Sequence, residues 1–378
     1  MTTNYTKHTI TDNRSAETFI PPSLQTLRAL RIDQELLALT GSANRLLGRL
    51  DGISESLGEI DMLVTLFIRK ESLLSTQISG NISSIEGILD PVIDENKNPQ
   101  AAAVNNYTIS MVHALTKLNH LSISNELFKE IHVVLNGGFR GGQFNSGDFR
   151  HIQTWIGYPV RRIQESPFIP PPADMLENLM YALGQYMHVD NGIDPLIKIS
   201  LIHYQFETIH PFMNGNGRIG RMLITLWFVL HELLKYPVIY MSHYFRLNSA
   251  EYFTRLTEAR FSDSIEQWIR FFLRAVISAA EDSVRSIYGI IEMKEQDMKR
   301  IYSLHGYRDN VIKFYNYTLR NPIIDVSKAS ADLELQYNTI VKSIEKLSEL
   351  GIIHQINNKR RNRRFAHSQL LEILKKDV

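Results

Sequence analysis

The stretch that decides this chain is His210-Pro211-Phe212-Met213-Asn214-Gly215-Asn216-Gly217-Arg218-Ile219-Gly220-Arg221. An apolar run, Ile197 to Ile209, reads as a helix that delivers a histidine to its end. Pro211 stops that helix, because proline disfavours helical geometry in the residue before it. Gly215-Asn216-Gly217 can take positive φ, and a second helix is expected to begin near Arg218. Unsatisfied N–H groups at such a helix start favour an anion, most often a phosphate. Arg218 and Arg221 lie three apart, on one helical face, where two guanidinium groups can hold a triphosphate by bidentate bonds. A histidine beside a phosphate site, with an unperturbed pKa of about 6.5, points to a general base. The residues alone therefore read as phosphoryl or nucleotidyl transfer to a nucleophile deprotonated by His210. The bland alternative is a helix-capping histidine followed by a plain glycine turn.

Outward from this window the chain reads mainly as helix. Helical spacing of apolar residues runs over 60–79, 123–135, 175–187, 195–209, 219–234, 249–259 and 265–299. Gly137-Gly138 and Gly141-Gly142 read as a mobile loop, and 90–91 and 95–99 as loop. Strand patterns are scarce; Phe168-Ile169, before Pro170-Pro171-Pro172, is one. The end of the chain differs. Two short helices, 326–335 and 336–350, precede strands at 352–356 and 364–366 around the basic turn Lys359-Arg360-Arg361-Asn362-Arg363-Arg364, a winged-helix pattern. The first 17 residues are polar and are expected to be disordered.

Composition bounds the function classes. With 378 residues, 44% apolar and 21% charged, the chain can bury a large core and reads as soluble and cytoplasmic. It contains no cysteine, so disulfides, thiolate metal sites and thiol nucleophiles are excluded. No apolar signal-peptide core stands at the start, and the longest apolar run, Met222 to Leu230, is far short of a membrane span. The net charge is +1, but residues 301–378 hold 13 Lys/Arg against 8 Asp/Glu, which leaves −4 on residues 1–300. The tail is a basic module on a mildly acidic body.

The window 210–221 resembles the signature of Fic-domain proteins, His-Pro-Phe-x-[Asp/Glu]-Gly-Asn-Gly-Arg-x-x-Arg. Chance agreement at this many positions is on the order of once per 10^10 starts. Lys70 to Ile78 resembles that family's N-terminal regulatory helix, and Trp155-Ile156-Gly157 through Phe168-Pro172 its flap. The resemblance implies a mainly α fold: a Fic-type helical bundle with a small β-hairpin flap, plus a C-terminal winged-helix domain. It divides the chain into a flexible arm (1–20), an N-terminal helical region with the regulatory helix (21–110), a catalytic domain (111–300) and the winged helix (301–378). The implied activity is transfer of AMP from Mg-ATP to a hydroxyl of a target protein, the chain itself included. His210 would be the base. Asn216 would bind a phosphate oxygen, with Gly215 and Gly217 shaping the loop. Arg218 and Arg221 would hold the β- and γ-phosphates, and Asn248 would lie on the adenine side. The flap, Phe168 to Pro172, would bind the target as an added strand.

Two positions depart from the family pattern. Asn214 stands where an Asp or Glu ligates Mg²⁺, so metal binding should weaken. Ser79 stands where the regulatory motif [Ser/Thr]-x-x-x-Glu-[Gly/Asn] carries its inhibitory Glu, which pairs with the second signature arginine. Glu86, in Ser83-Ser84-Ile85-Glu86-Gly87, is a rival for that position, two helical turns further on. The basic turn with the helix from Tyr337 suggests DNA as a partner, while dimerisation of the chain or docking of a target are the competing uses. Other readings remain open: transfer of UMP, phosphocholine or phosphate, or a DNA-binding regulator that senses nucleotide without turnover.

Overall fold

The computed structural model describes residues 5–9, 15–26, 30–56, 60–93, 97–118, 120, 122–137, 146–157, 166–261, 265–304, 306–357, 359 and 363–376. In chain order the elements are β1 (Tyr5–Thr9), β2 (Ser15–Phe19), α1 (Gln34–Glu55), α2 (Ile60–Ile78), α3 (Ile85–Leu89), α4 (Pro99–Leu118) and α5 (Asn125–Leu135). They continue with α6 (Leu176–His188), α7 (Pro195–Ile209), α8 (Asn216–Leu230), α9 (Met241–Leu247), α10 (Ser249–Phe261) and α11 (Ile265–Tyr302). The last are α12 (Arg308–Arg320), β3 (Ile323–Asp325), α13 (Val326–Leu333), α14 (Tyr337–Glu349), β4 (Ile353–Gln355), β5 (Arg364–His367) and α15 (Ser368–Lys375). The fold is mainly α. Its compact units interleave along the chain: residues 1–48, 106–237 and 244–278 form one, and 49–105, 238–243 and 279–378 the other. A linear division of the sequence cannot express that interleaving.

In the first unit α7 is buried on every side, from Leu196 to Ile209, as befits a helix with no polar face. It packs against α6 and α8, and α5 packs against both of those. Pro195 opens α7 at its first position, and the Asp194 side chain accepts the Leu196 N–H at 2.8 Å. Asn44 Nδ2 donates to the other Asp194 oxygen at 2.9 Å. Indole N–H groups satisfy two inner carbonyls: Trp227 donates to Pro195 and Trp268 to Ser200. The polar start of the chain pairs as an antiparallel hairpin, with Tyr5 opposite Phe19 and Thr9 opposite Ser15. Residues 5–9 and 15–19 thus take strand geometry where the sequence offers no strand pattern. Phe19 is buried.

In the second unit α2 packs against α3 and α12. Glu71 is buried, and accepts both the hydroxyl and the backbone N–H of Ser242. Buried Lys70 donates to the Lys376 carbonyl at 2.8 Å, with its ammonium over the Tyr240 ring. After α12 the chain forms a three-stranded antiparallel sheet in the order β3-β5-β4. Ile323 lies opposite Ala366, and Ile353 opposite His367. The sequence reading found β4 and β5 but missed β3, which is only three residues long. The basic turn at 360–362 lies outside the described residues.

Candidate active site

The 210–221 segment joins α7 to α8 within the first unit. His210 caps α7 with its N–H on the Phe206 carbonyl, at φ 51° and ψ 61°. A left-handed backbone at a non-glycine residue costs about 1–2 kcal/mol, so the surroundings must hold it there. The imidazole is driven down to about 3 by burial, then by the positive charges of Arg150 and Arg260, and its Nδ1 has no partner among the described residues. It is therefore neutral near pH 7, more completely so than an unperturbed histidine.

Of Gly215, Asn216 and Gly217 only the first takes positive φ, at 75°; Gly217 is already helical, because α8 begins at Asn216 rather than near Arg218. The N–H groups of Asn216, Gly217 and Arg218 precede the first intrahelical bond, Ile219 N–H to the Gly215 carbonyl. The side chain of Asn216 bonds the backbone of Phe212. Its Oδ1 accepts the Phe212 N–H at 2.8 Å and its Nδ2 donates to the Phe212 carbonyl at 2.7 Å. The carboxamide thus closes the loop, and its second Nδ2–H and the backbone N–H groups of the α8 start are the donors left for an anion.

Arg218 and Arg221 rise from the first two turns of α8. Burial and the neighbouring Arg221 both push Arg218 down, a penalty that a bound anion would relieve. Behind them lies a buried polar layer. His203 Nδ1 donates to the Gly220 carbonyl at 2.8 Å, which leaves Nε2 to accept the Tyr252 hydroxyl at 2.8 Å. Burial pushes the Glu207 carboxyl up, against the opposing pull of Arg221 and Arg260. A Cβ on Gly220 would come within 2.3 Å of Glu207 Oε1, which explains a glycine at that helical position. Asn214 is exposed, and Asn248 Nδ2 donates to the Tyr244 carbonyl at 3.0 Å.

Sequence reasoning missed several residues here. His132 of α5 stacks on Phe212 at 4.2 Å, and its Nδ1 accepts the Gly147 N–H at 2.9 Å, so Nε2 carries the proton of the neutral ring. Burial drives it down to about 4, with Asn214 working against that shift. Arg150 is buried among backbone carbonyls, and the Arg260 guanidinium lies 3.7 Å from the centre of the Phe168 ring. None of these residues sits in a recognisable motif.

The flap has one described bridge, Ile156 N–H to the Phe168 carbonyl at 2.9 Å; residues 158–165 lie outside the described part. Phe168 to Pro172 are buried, and Ile169 already accepts the Phe19 N–H at 3.2 Å. The expected target-binding segment is thus the inner limb. The outer limb carries the exposed Ile152, Trp155 and Gly157. Ser79 and Glu86 belong to the second unit. The helix ends at Ile78 and a new one starts at Ile85, so Glu86 is not two turns along one helix from Ser79. Instead Glu86 pairs with Lys375 at 2.9 Å.

Residues 122–228 match the Fic/DOC family, and residues 37–116 match the Fic/DOC family N-terminal region. A probable protein adenylyltransferase of Aquifex aeolicus is 36% identical over 88 residues, which are 21% of this chain and 28% of that protein. A protein adenylyltransferase of Caenorhabditis elegans is 28% identical over 202 residues, 51% of this chain and 35% of that protein. The matches thus span about a third or less of either relative. The crystal structure of a Fic family protein from Desulfovibrio desulfuricans superposes with a TM-score of 0.55 at 18% identity, over 90% of this chain and 97% of that one, a likeness of fold.

Proposed function

We propose that this chain, a Fic-domain protein, is a protein adenylyltransferase that moves AMP from ATP to a hydroxyl side chain of a protein. One observation carries the reading: a neutral histidine, His210, and the open N-terminus of α8 with Arg218 and Arg221 stand at the two ends of one loop. The target oxygen forms a bond to the α-phosphorus while the bond from that phosphorus to the β-phosphate oxygen breaks. His210 takes the hydroxyl proton, and pyrophosphate leaves on the two arginines. An imidazole near pKa 3 is a weak base, and the negative charge of a bound triphosphate would raise it.

The target segment would add to the exposed outer limb of the flap, Ile152 to Gly157, by backbone bonds that tolerate varied side chains. Asn248 is assigned to the adenine side. For the cation, Asn214 supplies one neutral oxygen, and no cluster of three His, Asp or Glu stands among the described residues. This donor set does not fit a protein-held Mg²⁺, so an ion is assigned to the nucleotide, as part of the substrate. Ser79 leaves the inhibitory position without a carboxylate, which supports a constitutively open enzyme. The C-terminal helices and sheet are read as a winged helix for docking protein or DNA, or for pairing two copies of the chain. Among the described residues no helix is long and apolar enough to cross a membrane.

The neutral Asn214 favours a second reading, a nucleotide sensor without turnover. ATP labelled on its α-phosphate separates the two. The adenylyltransferase labels itself or a target, and His210→Ala abolishes labelling while ATP still binds. ATP binding with no label supports the sensor, and label arriving only from the γ-phosphate would mean phosphorylation.

A further inference from the structure

Arg150 lies between α5 and the flap, 60 residues before His210, with 2% of its surface exposed. Its backbone N–H donates to the Pro211 carbonyl at 2.8 Å. Its Nε donates to the His210 carbonyl at 3.0 Å. Nη2 reaches the Pro171 carbonyl at 2.5 Å and the Ile209 carbonyl at 3.5 Å, and Nη1 the Ile152 carbonyl at 3.2 Å. Among the described residues no carboxylate pairs with it. Burial pushes the guanidinium down to about 10, which still leaves it charged near neutrality. A cation buried without a counter-ion, and bonded to carbonyls from three separate segments, is a costly arrangement for ordinary packing.

We propose that Arg150 is a positioning residue that ties the His210 end of α7 to both limbs of the flap, and so sets the distance from the base to a hydroxyl held on the flap. The three segments it joins are those whose relative placement decides the proton transfer. His210 is held in a sparsely populated backbone region, and its carbonyl orientation is fixed by Nε. Ile152 opens the outer limb and Pro171 closes the inner one. Above them Gln153 Nε2 to the Pro170 carbonyl, at 2.9 Å, and the Ile156–Phe168 bridge continue the pairing. Only arginine presents a planar fork that can serve these carbonyls together; a lysine ammonium keeps the charge without the span. This inference deepens the adenylyltransferase reading and rests on it for its catalytic consequence.

The test compares the full chain with Arg150→Lys and Arg150→Gln. Both should lower kcat for transfer by about 100-fold, as expected for an ångström-scale misplacement, with ATP affinity unchanged. Both should also lose hydrogen-exchange protection at the Ile156 amide, the donor of the flap bridge. The exchange measurement needs no turnover, so a parent chain that does not label would overturn the adenylyltransferase reading while the tie is still tested. Parental kcat and Ile156 protection in either variant would overturn the proposal. So would loss of ATP binding and thermal stability in step with kcat, in Arg150→Lys as well as in Arg150→Gln, because that pattern belongs to a purely structural residue.

Discussion

The carboxamide of Asn216 clasps the backbone of Phe212, with Oδ1 accepting its N–H at 2.8 Å and Nδ2 donating to its carbonyl at 2.7 Å. The clasp is buried and spans the loop between His210 and α8. Asn216→Ala removes both bonds and strands two buried backbone groups, which should cost about 1–3 kcal/mol of stability. Denaturant unfolding would show a lower midpoint at constant slope, and ATP affinity should fall. Asn216→Asp should rescue neither property, because a carboxylate cannot donate to the Phe212 carbonyl. Parental ATP affinity in Asn216→Ala would show that the clasp does not shape the anion site.

Asn214→Asp should lower the Mg²⁺ concentration needed for half-maximal transfer, because a carboxylate replaces a neutral amide at a hard cation. A Mg²⁺ titration of labelling rate reads this directly. An unchanged titration would mean that residue 214 does not meet the ion.

Ser79→Glu should suppress labelling. The family resemblance assigns residue 79 to an inhibitory carboxylate that opposes the γ-phosphate, and like charges repel. Glu86→Gln should leave labelling unchanged, since Glu86 is engaged by Lys375 within its own unit. Strong activation by Glu86→Gln, with no effect of Ser79→Glu, would reverse the assignment.

Acid should destabilise the chain through its buried histidines. Burial drives His132 down to about 4 and His203 to about 3. For a base whose folded pKa is depressed, the unfolded chain binds the extra proton, so stability is complete above about pH 6.5 and is lost as the pH falls below it. By pH 5 each of the two should have cost about 2 kcal/mol. Equilibrium unfolding between pH 7.5 and 5 measures the slope, and His203→Gln should make it shallower by up to about 1.4 kcal/mol per pH unit. An unaltered slope would show that His203 does not titrate on unfolding.

What the sequence determined by itself is local. Helical periodicity located α7, with both ends correct, and α2, α5, α6, α10 and α11 to within three residues, because a buried apolar face repeats inside a short window. The 210–221 motif named the histidine and the arginines, because their spacing along one loop and one helix turn is itself the geometry. Helix α1 escaped that reading although Leu36, Ala43, Leu47 and Leu50 are buried at helical spacing, with Gly41, Gly48 and Gly52 set among them. Tertiary structure alone decided the rest. Arg150 meets His210 across 60 residues, and its partners are carbonyls, which every residue carries and no sequence pattern marks. The burial of Phe168 to Pro172, the N-terminal hairpin and the use of the Asn216 carboxamide likewise depend on which backbone groups come face to face. Hydrogen bonds to the backbone are specified by where the chain folds back on itself, not by the kind of residue that accepts them.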